Sequence, residues 1–251
     1  MLSIQHVEKN FSGLKALRDV SFDIPEGRIQ GIIGPNGSGK TTMFNCITGL
    51  LPVSSGKIFL DGEDITAIPA HEIAKRGIRR TFQQGKLVSS MTVLENVMAG
   101  DHGYGASCTA DTFFRPIGKK SKAERELERR AREALAFFSL EDSAERWAAD
   151  LTWAERQYVQ LARAIVSNPK LVLLDEPASG MGPRETAHIG EMIKKIQGKG
   201  ITVVVVSHDI KMLMETAEWI TVLCYGDKIA EGDPPTVRKN PKVLEAYLGA
   251  E

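Results

Sequence analysis

The chain has 251 residues, 42% apolar and 25% charged, which suits one or two folded domains and excludes wholesale disorder. Its 32 basic and 32 acidic residues cancel, so no global charge draws it to nucleic acid or anionic lipid. The purest apolar run, Val203–Val206 with its neighbours, falls far short of the roughly 20 residues of a spanning helix, and His6, Glu8 and Lys9 make the N-terminus unlike a signal peptide.

In chain order, Ser3–Phe11 and Asp19–Ile24 alternate apolar and polar residues as strands do, and Pro25-Glu26-Gly27 marks a turn. Arg28–Gly34 reads as a strand with an apolar end. A Gly-rich loop follows, then a helix over about Thr41–Thr48 stopped by Gly49. Lys57–Ile65 carries the hairpin signal Asp61-Gly62. From about Gln84 to Asp150 the pattern turns helical and irregular. It includes a Gly-rich loop at Gly100–Gly105 and a charged helix over Lys119–Phe138, with i,i+4 pairs Glu126–Arg130 and Glu128–Arg132. Leu151–Asn168 reads as helix up to Pro169. Leu171–Leu174 and Ile201–Val206 read as buried parallel strands, Ile220–Glu231 as a hairpin, and Pro241–Gly249 as a short helix. Cys46, Cys108 and Cys224 lack metal-ligand spacing and read as the reduced thiols of a cytoplasmic protein.

Gly34-Pro35-Asn36-Gly37-Ser38-Gly39-Lys40-Thr41 fits the phosphate-binding pattern G-x-x-x-x-G-K-[ST], with a strand before it and a helix after. Glycines let the backbone curl so that its N–H groups converge on phosphate, and the helix aims its positive end at the same anion. Lys40 brings charge to the outer phosphates, and the Thr41 hydroxyl suits Mg²⁺. The strand at Leu171–Leu174 ends in Asp175-Glu176. Beside a phosphate loop, Asp175 suits Mg²⁺ and Glu176 an attacking water. A third strand ends in Ser207-His208. Parallel strands deliver such ends to one edge, so Thr41, Asp175 and His208 are expected to share a crevice.

With these motifs in order, the chain resembles the ATP-binding subunits of ABC transporters over essentially its full length. That resemblance implies an α/β fold: a P-loop ATPase core with a mostly parallel sheet, an N-terminal antiparallel β subdomain and an inserted helical subdomain. It further implies one domain over 1–251 with the insertion at about 84–155. It makes Lys40, Glu176, His208 and Gln83 the catalytic set, and Thr41, Gln83 and Asp175 the Mg²⁺ ligands. ATP would be held by Gly34–Thr41 together with Thr42, its adenine stacked on Phe11. Gly77–Gln83, Met91–Val97, Asp175–Pro183 and the tail from Gly232 to Gly249 are similar to the branched-chain amino-acid uptake subgroup. The expected partners are a second ATPase subunit, two transmembrane permease subunits docking near Gln84–Val97, and an extracytoplasmic solute-binding protein. The expected place is the cytoplasmic face of the cell membrane, with no nucleic acid. Alternatives are the ATPase of a lipid or lipopolysaccharide exporter, a soluble ABC ATPase, and a regulatory nucleotide-binding module. Glu176 and His208 argue against the last.

The family signature L-S-G-G-Q, which caps the ATP of the opposite subunit, is matched by Leu151-Thr152-Trp153-Ala154-Glu155. Thr152 keeps a hydroxyl and Ala154 a small side chain, while Trp153 and Glu155 depart. Either Trp153 points outward without effect, or the chain works with a different subunit at unequal sites. Gly182 stands where the family often has an aspartate. The basic stretch Arg115–Glu133 reads as a solvated helical face.

Overall fold

The computed structural model describes residues 1–81, 87–101 and 121–248. Its strands are β1 (Leu2–Phe11), β2 (Leu14–Ile24), β3 (Ile29–Ile33), β4 (Ser55–Leu60), β5 (Glu63–Asp64), β6 (Ile78–Arg80), β7 (Leu171–Asp175), β8 (Thr202–Val206), β9 (Trp219–Cys224) and β10 (Asp227–Gly232). Its helices are α1 (Lys40–Ile47), α2 (Ala70–Lys75), α3 (Val93–Met98), α4 (Lys122–Phe137), α5 (Trp153–Ile165), α6 (Pro183–Gly198), α7 (Ile210–Thr216), α8 (Pro234–Lys239) and α9 (Pro241–Leu248). The chain divides into two compact units, Met1–Phe82 with Lys170–Glu251, and Gln83–Pro169.

The first unit holds two sheets. One is antiparallel, in the order β2-β1-β4-β5. Asp61 and Gly62 both take positive φ (52° and 83°) in the β4–β5 turn, the twist that a two-residue hairpin loop needs. The inward residues Leu2, Ile4, Leu17 and Ile58 join Phe44 and Ile47 of α1 in one buried cluster. At about 1.5–3 kcal/mol per buried apolar side chain, that burial holds the phosphate-loop helix against the sheet.

The other sheet has the order β10-β9-β3-β8-β7-β6, parallel from β9 to β6 with β10 antiparallel at one edge. Every residue of β3, β7 and β8 is buried, which is why these strands are dominated by apolar residues. β6 is a three-residue strand paired with β7 alone, at the opposite edge. The carboxyl ends of β3, β8, β7 and β6 open on one side, so residues 34, 207–208, 175–176 and 81 all emerge there.

The second unit is helical, with α3, α4 and α5 packed against one another around Val93, Val97, Ala131, Leu135 and Val159. Val93 belongs to this core, whereas Val88 is exposed. Each of the three helices opens on a capping box, Thr92 with Glu95, Ser121 with Glu124 and Thr152 with Glu155. In such a box the hydroxyl accepts one orphan N–H and the carboxylate another, and the cap contributes about 1 kcal/mol. The caps set the helix starts at Lys122 and Trp153, two or three residues later than periodicity suggests. The pairs Glu126–Arg130 and Glu128–Arg132 form at 4.0 and 3.1 Å. The helical unit runs from Gln83 to Pro169.

Candidate active site

The phosphate loop joins β3 to α1. Gly34 has φ 153°, and a Cβ on it would stand 2.0 Å from the Leu223 carbonyl oxygen. Gly39, at φ 102°, caps α1 in the left-handed region, where a Cβ would lie 2.6 Å from the Ala16 oxygen. Only glycine meets both demands. The loop is backed by the β9–β10 turn, whose Gly226 N–H donates to the Ser38 oxygen (3.1 Å). Lys40 folds over the loop, donating to the oxygens of Gly34 (2.7 Å) and Pro35 (2.9 Å). Burial pushes its ammonium below the usual lysine range, and the carboxylates of Glu176 and Asp175 pull it back. The charge thus sits at the mouth of the loop, held by carbonyl oxygens that a phosphate oxygen can replace. Thr41, the next residue, is exposed.

Across the sheet edge, Asp175 is buried at the end of β7. Its Oδ2 accepts from Arg80 Nη2 at 2.7 Å, and its backbone N–H donates to Thr81 Oγ1 at 3.2 Å. Glu176 follows at φ 52°, a left-handed conformation that costs a non-glycine residue about 1–3 kcal/mol. A hydrogen bond from its N–H to the Val206 oxygen (2.9 Å) holds it there. Its carboxylate meets His208 twice, accepting the backbone N–H at 3.2 Å and lying 2.7 Å from Nδ1. The Glu176 side chain is 10% exposed and that of His208 69%. A nearly buried carboxylate with a solvent-facing imidazole can accept a proton from water and hand it outward.

Phe11 ends β1, half-exposed, with Lys9 Nζ 5.0 Å from its ring centre. In the second unit, the Thr152 hydroxyl is committed to the Glu155 N–H, and Glu155 pairs with Arg146 at 2.7 Å. Burial raises the Glu155 carboxyl, but the Thr152 N–H and the Arg146 guanidinium outweigh it and hold it below the usual range. Trp153 is 52% exposed at the first position of α5. Gly182 caps α6, where an added Cβ would meet only Glu185 Oε2 at 3.8 Å, so nothing steric excludes a side chain. Gln83 lies outside the described residues, as do Cys108 and the Gly100–Gly105 loop beyond residue 101.

Sequence reasoning missed two neighbours of the site. Arg80 takes the Asp175 carboxylate, and its only signal was a charge where a strand enters the core. Tyr247, on α9, lies close enough to the loop for the Gly34 backbone to lower its pKa slightly, while burial, the larger effect, pushes that phenol up to about 12. A residue more than two hundred positions from the loop leaves no local signal of that contact.

A left-handed glycine loop between a buried parallel strand and a helix, with carboxylates at the mouth of a second strand, defines a P-loop nucleoside triphosphatase. The family model for ABC transporters matches residues 17–179, and that for branched-chain amino acid ATP-binding cassette transporters matches residues 228–251. The chain is 36% identical, over 99% of its length and 98% of the other, to the high-affinity branched-chain amino acid transport ATP-binding protein BraF of Pseudomonas aeruginosa. It is also 36% identical to a probable branched-chain amino acid transport ATP-binding protein LivG of Archaeoglobus fulgidus, over 100% and 96% of the two chains. Among solved structures it superposes on a nucleotide-free ATP-binding cassette from an ABC transporter with a TM-score of 0.86, at 33% identity over 100% and 99%. A dimeric cassette in a post-hydrolysis state, bound to ADP and Pi, matches with a TM-score of 0.75 at 31% identity over 93% and 99%. The chain belongs to the ATP-binding subunits of ABC transporters and is an ATPase of a transport system. Its place is peripheral to the membrane, and no helix among the described residues is long and apolar enough to cross one.

Proposed function

We propose that this chain is the ATP-hydrolysing subunit of an importer of branched-chain amino acids or a related small polar solute. The observation that carries the ATPase half is the Glu176–His208 pair at the sheet edge that also bears Lys40 and Asp175. The solute class is supported by the full-length likeness to BraF and by the match of the tail, residues 228–251. That tail match also disfavours the exporter reading.

ATP lies along Gly34–Thr42 with adenine on Phe11, and Lys40 meets its outer phosphates. Thr41 and Asp175 offer hard oxygens, the donor type Mg²⁺ takes alongside phosphates and water. The Arg80 guanidinium holds one oxygen of that carboxylate, Oδ2, and among the described residues nothing bonds the other. With Gln83 they would hold the ion, which neutralises developing charge on the phosphates. Glu176 accepts a proton from the attacking water, and His208 holds the carboxylate in place and relays that proton outward. Thr152, Trp153, Ala154 and Glu155 cap the ATP of a second ATPase subunit. The whole chain is one ABC-type ATPase domain with a helical insertion. It works at the cytoplasmic face of the cell membrane beneath two permease subunits, fed by an extracytoplasmic binding protein.

The test is uptake by cells lacking the gene. Restored uptake of labelled leucine, isoleucine or valine by the wild-type chain, and its loss with Lys40→Ala, is the expected result. Restoration of some other transport alone, with amino-acid uptake unchanged throughout, would overturn the assignment of solute.

A further inference from the structure

Arg80 is used by nothing described so far except Asp175. It ends β6, with its side chain 5% exposed, as is that of Asp175. Its Nη2 donates to Asp175 Oδ2 (2.7 Å), and its Nη1 donates to Asn45 Oδ1 (2.6 Å). Its guanidinium carbon lies 5.4 Å from the Phe44 ring centre. Asn45 is four residues after Thr41 on α1, hence on the same helical face. One guanidinium therefore joins the two elements that carry the proposed oxygen ligands. Thr81, the next residue, takes the Asp175 N–H, so both the backbone and the carboxylate of Asp175 are held from the end of β6. Among the described residues nothing bonds Asp175 Oδ1.

We propose that Arg80 is the positioning residue of the cation site: it neutralises Asp175 in the nucleotide-free chain and turns Oδ1 outward, so that a divalent cation is captured only when nucleotide phosphates add their own negative charge. The proposal rests on the reading of Asp175 as a cation ligand. The physics is charge counting in a poorly screened place. A buried carboxylate paired with a guanidinium presents little net charge, and a bare dication gains little there. The triphosphate restores the negative potential, and Oδ1 is already aimed.

The experiment is Mn²⁺ binding to the nucleotide-free full-length chain, read by electron paramagnetic resonance, for wild type, Arg80→Gln, Arg80→Lys and Asn45→Asp. Arg80→Gln should reveal a saturable Mn²⁺ site at least about tenfold tighter than in wild type, since a unit charge at this range is worth that much or more. Arg80→Lys, which keeps the charge, should not. Asn45→Asp adds a carboxylate beside Nη1 while leaving Arg80 and Asp175 intact. It should tighten Mn²⁺ in the same direction, and it carries the test if Arg80→Gln fails to fold. Adding Asp175→Asn to either tightened variant should abolish the gain. A purely structural role would move the melting temperature and leave Mn²⁺ affinity alone. Equal Mn²⁺ affinity in wild type and in the tightened variants, or an equal gain with lysine, would overturn the proposal. The underlying reading is tested apart, by calorimetry of ATP binding with and without Mg²⁺ in Asp175→Asn. An unchanged Mg²⁺ dependence there would remove Asp175 from the cation site altogether.

Discussion

His208 Nδ1 lies 2.7 Å from the Glu176 carboxylate, which also accepts the His208 backbone N–H at 3.2 Å. The two residues lie just beyond the ends of neighbouring strands, β7 and β8, and the left-handed backbone of Glu176 turns its side chain back toward β8. The imidazole thereby fixes where the carboxylate points. His208→Ala should lower ATP turnover by about 10²-fold, the lower range for a positioned acid–base group. Nucleotide affinity, measured by calorimetry, should stay near wild type, because the phosphate loop is untouched.

Gly34→Ala tests the loop itself. The new methyl would overlap the Leu223 carbonyl oxygen at 2.0 Å and force the β9–β10 hairpin away from the loop. Thermal unfolding should show a loss of about 1–3 kcal/mol, the usual cost of such local strain. ATP binding should fall with it, since Gly34 opens the phosphate loop and the displacement starts there.

The thiols should separate by reactivity. Burial raises the Cys46 thiol to about 11, with Lys9 pulling slightly the other way, whereas Cys224 is only half-buried. In the native chain at neutral pH, mass mapping after alkylation should find Cys224 labelled well before Cys46. Because the thiolate is the reactive form, Cys46 should gain reactivity only as pH approaches about 11, or on unfolding. Early labelling of Cys46 would mean that α1 opens readily.

The signature segment gives a further prediction. Thr152 and Glu155 spend their polar groups on capping α5, and Trp153 stands half-exposed where a glycine would let another backbone approach. Converting Leu151–Glu155 to the family sequence should raise steady-state turnover of the assembled transporter. Unchanged turnover would show that Trp153 is accommodated without loss.

Much of this was legible in the sequence because local chemistry forces it. The loop glycines, the Asp61-Gly62 turn and the apolar runs Leu171–Leu174 of β7 and Val203–Val206 of β8 each have one physical reading, and the structure realises it. Helix starts at Lys122 and Trp153 were displaced because periodicity marks the buried face, while Ser121 and Thr152 set the end through their caps. α6 escaped notice although Pro183 at its first turn and Glu185 bonding the Gly182 N–H are start signals. β6 was hidden because Arg79 and Arg80 break the apolar pattern in a strand of three residues. The Arg80–Asp175 pair joins segments far apart in the chain, and only the fold brings them together.

The most direct test of the central claim is ATP hydrolysis by the assembled transporter carrying Glu176→Gln, measured beside its ATP affinity. The account predicts turnover reduced by about 10²–10⁴-fold with ATP affinity retained, the pattern of a group that acts only in the transition state. Turnover within a few-fold of wild type at saturating Mg-ATP would contradict it.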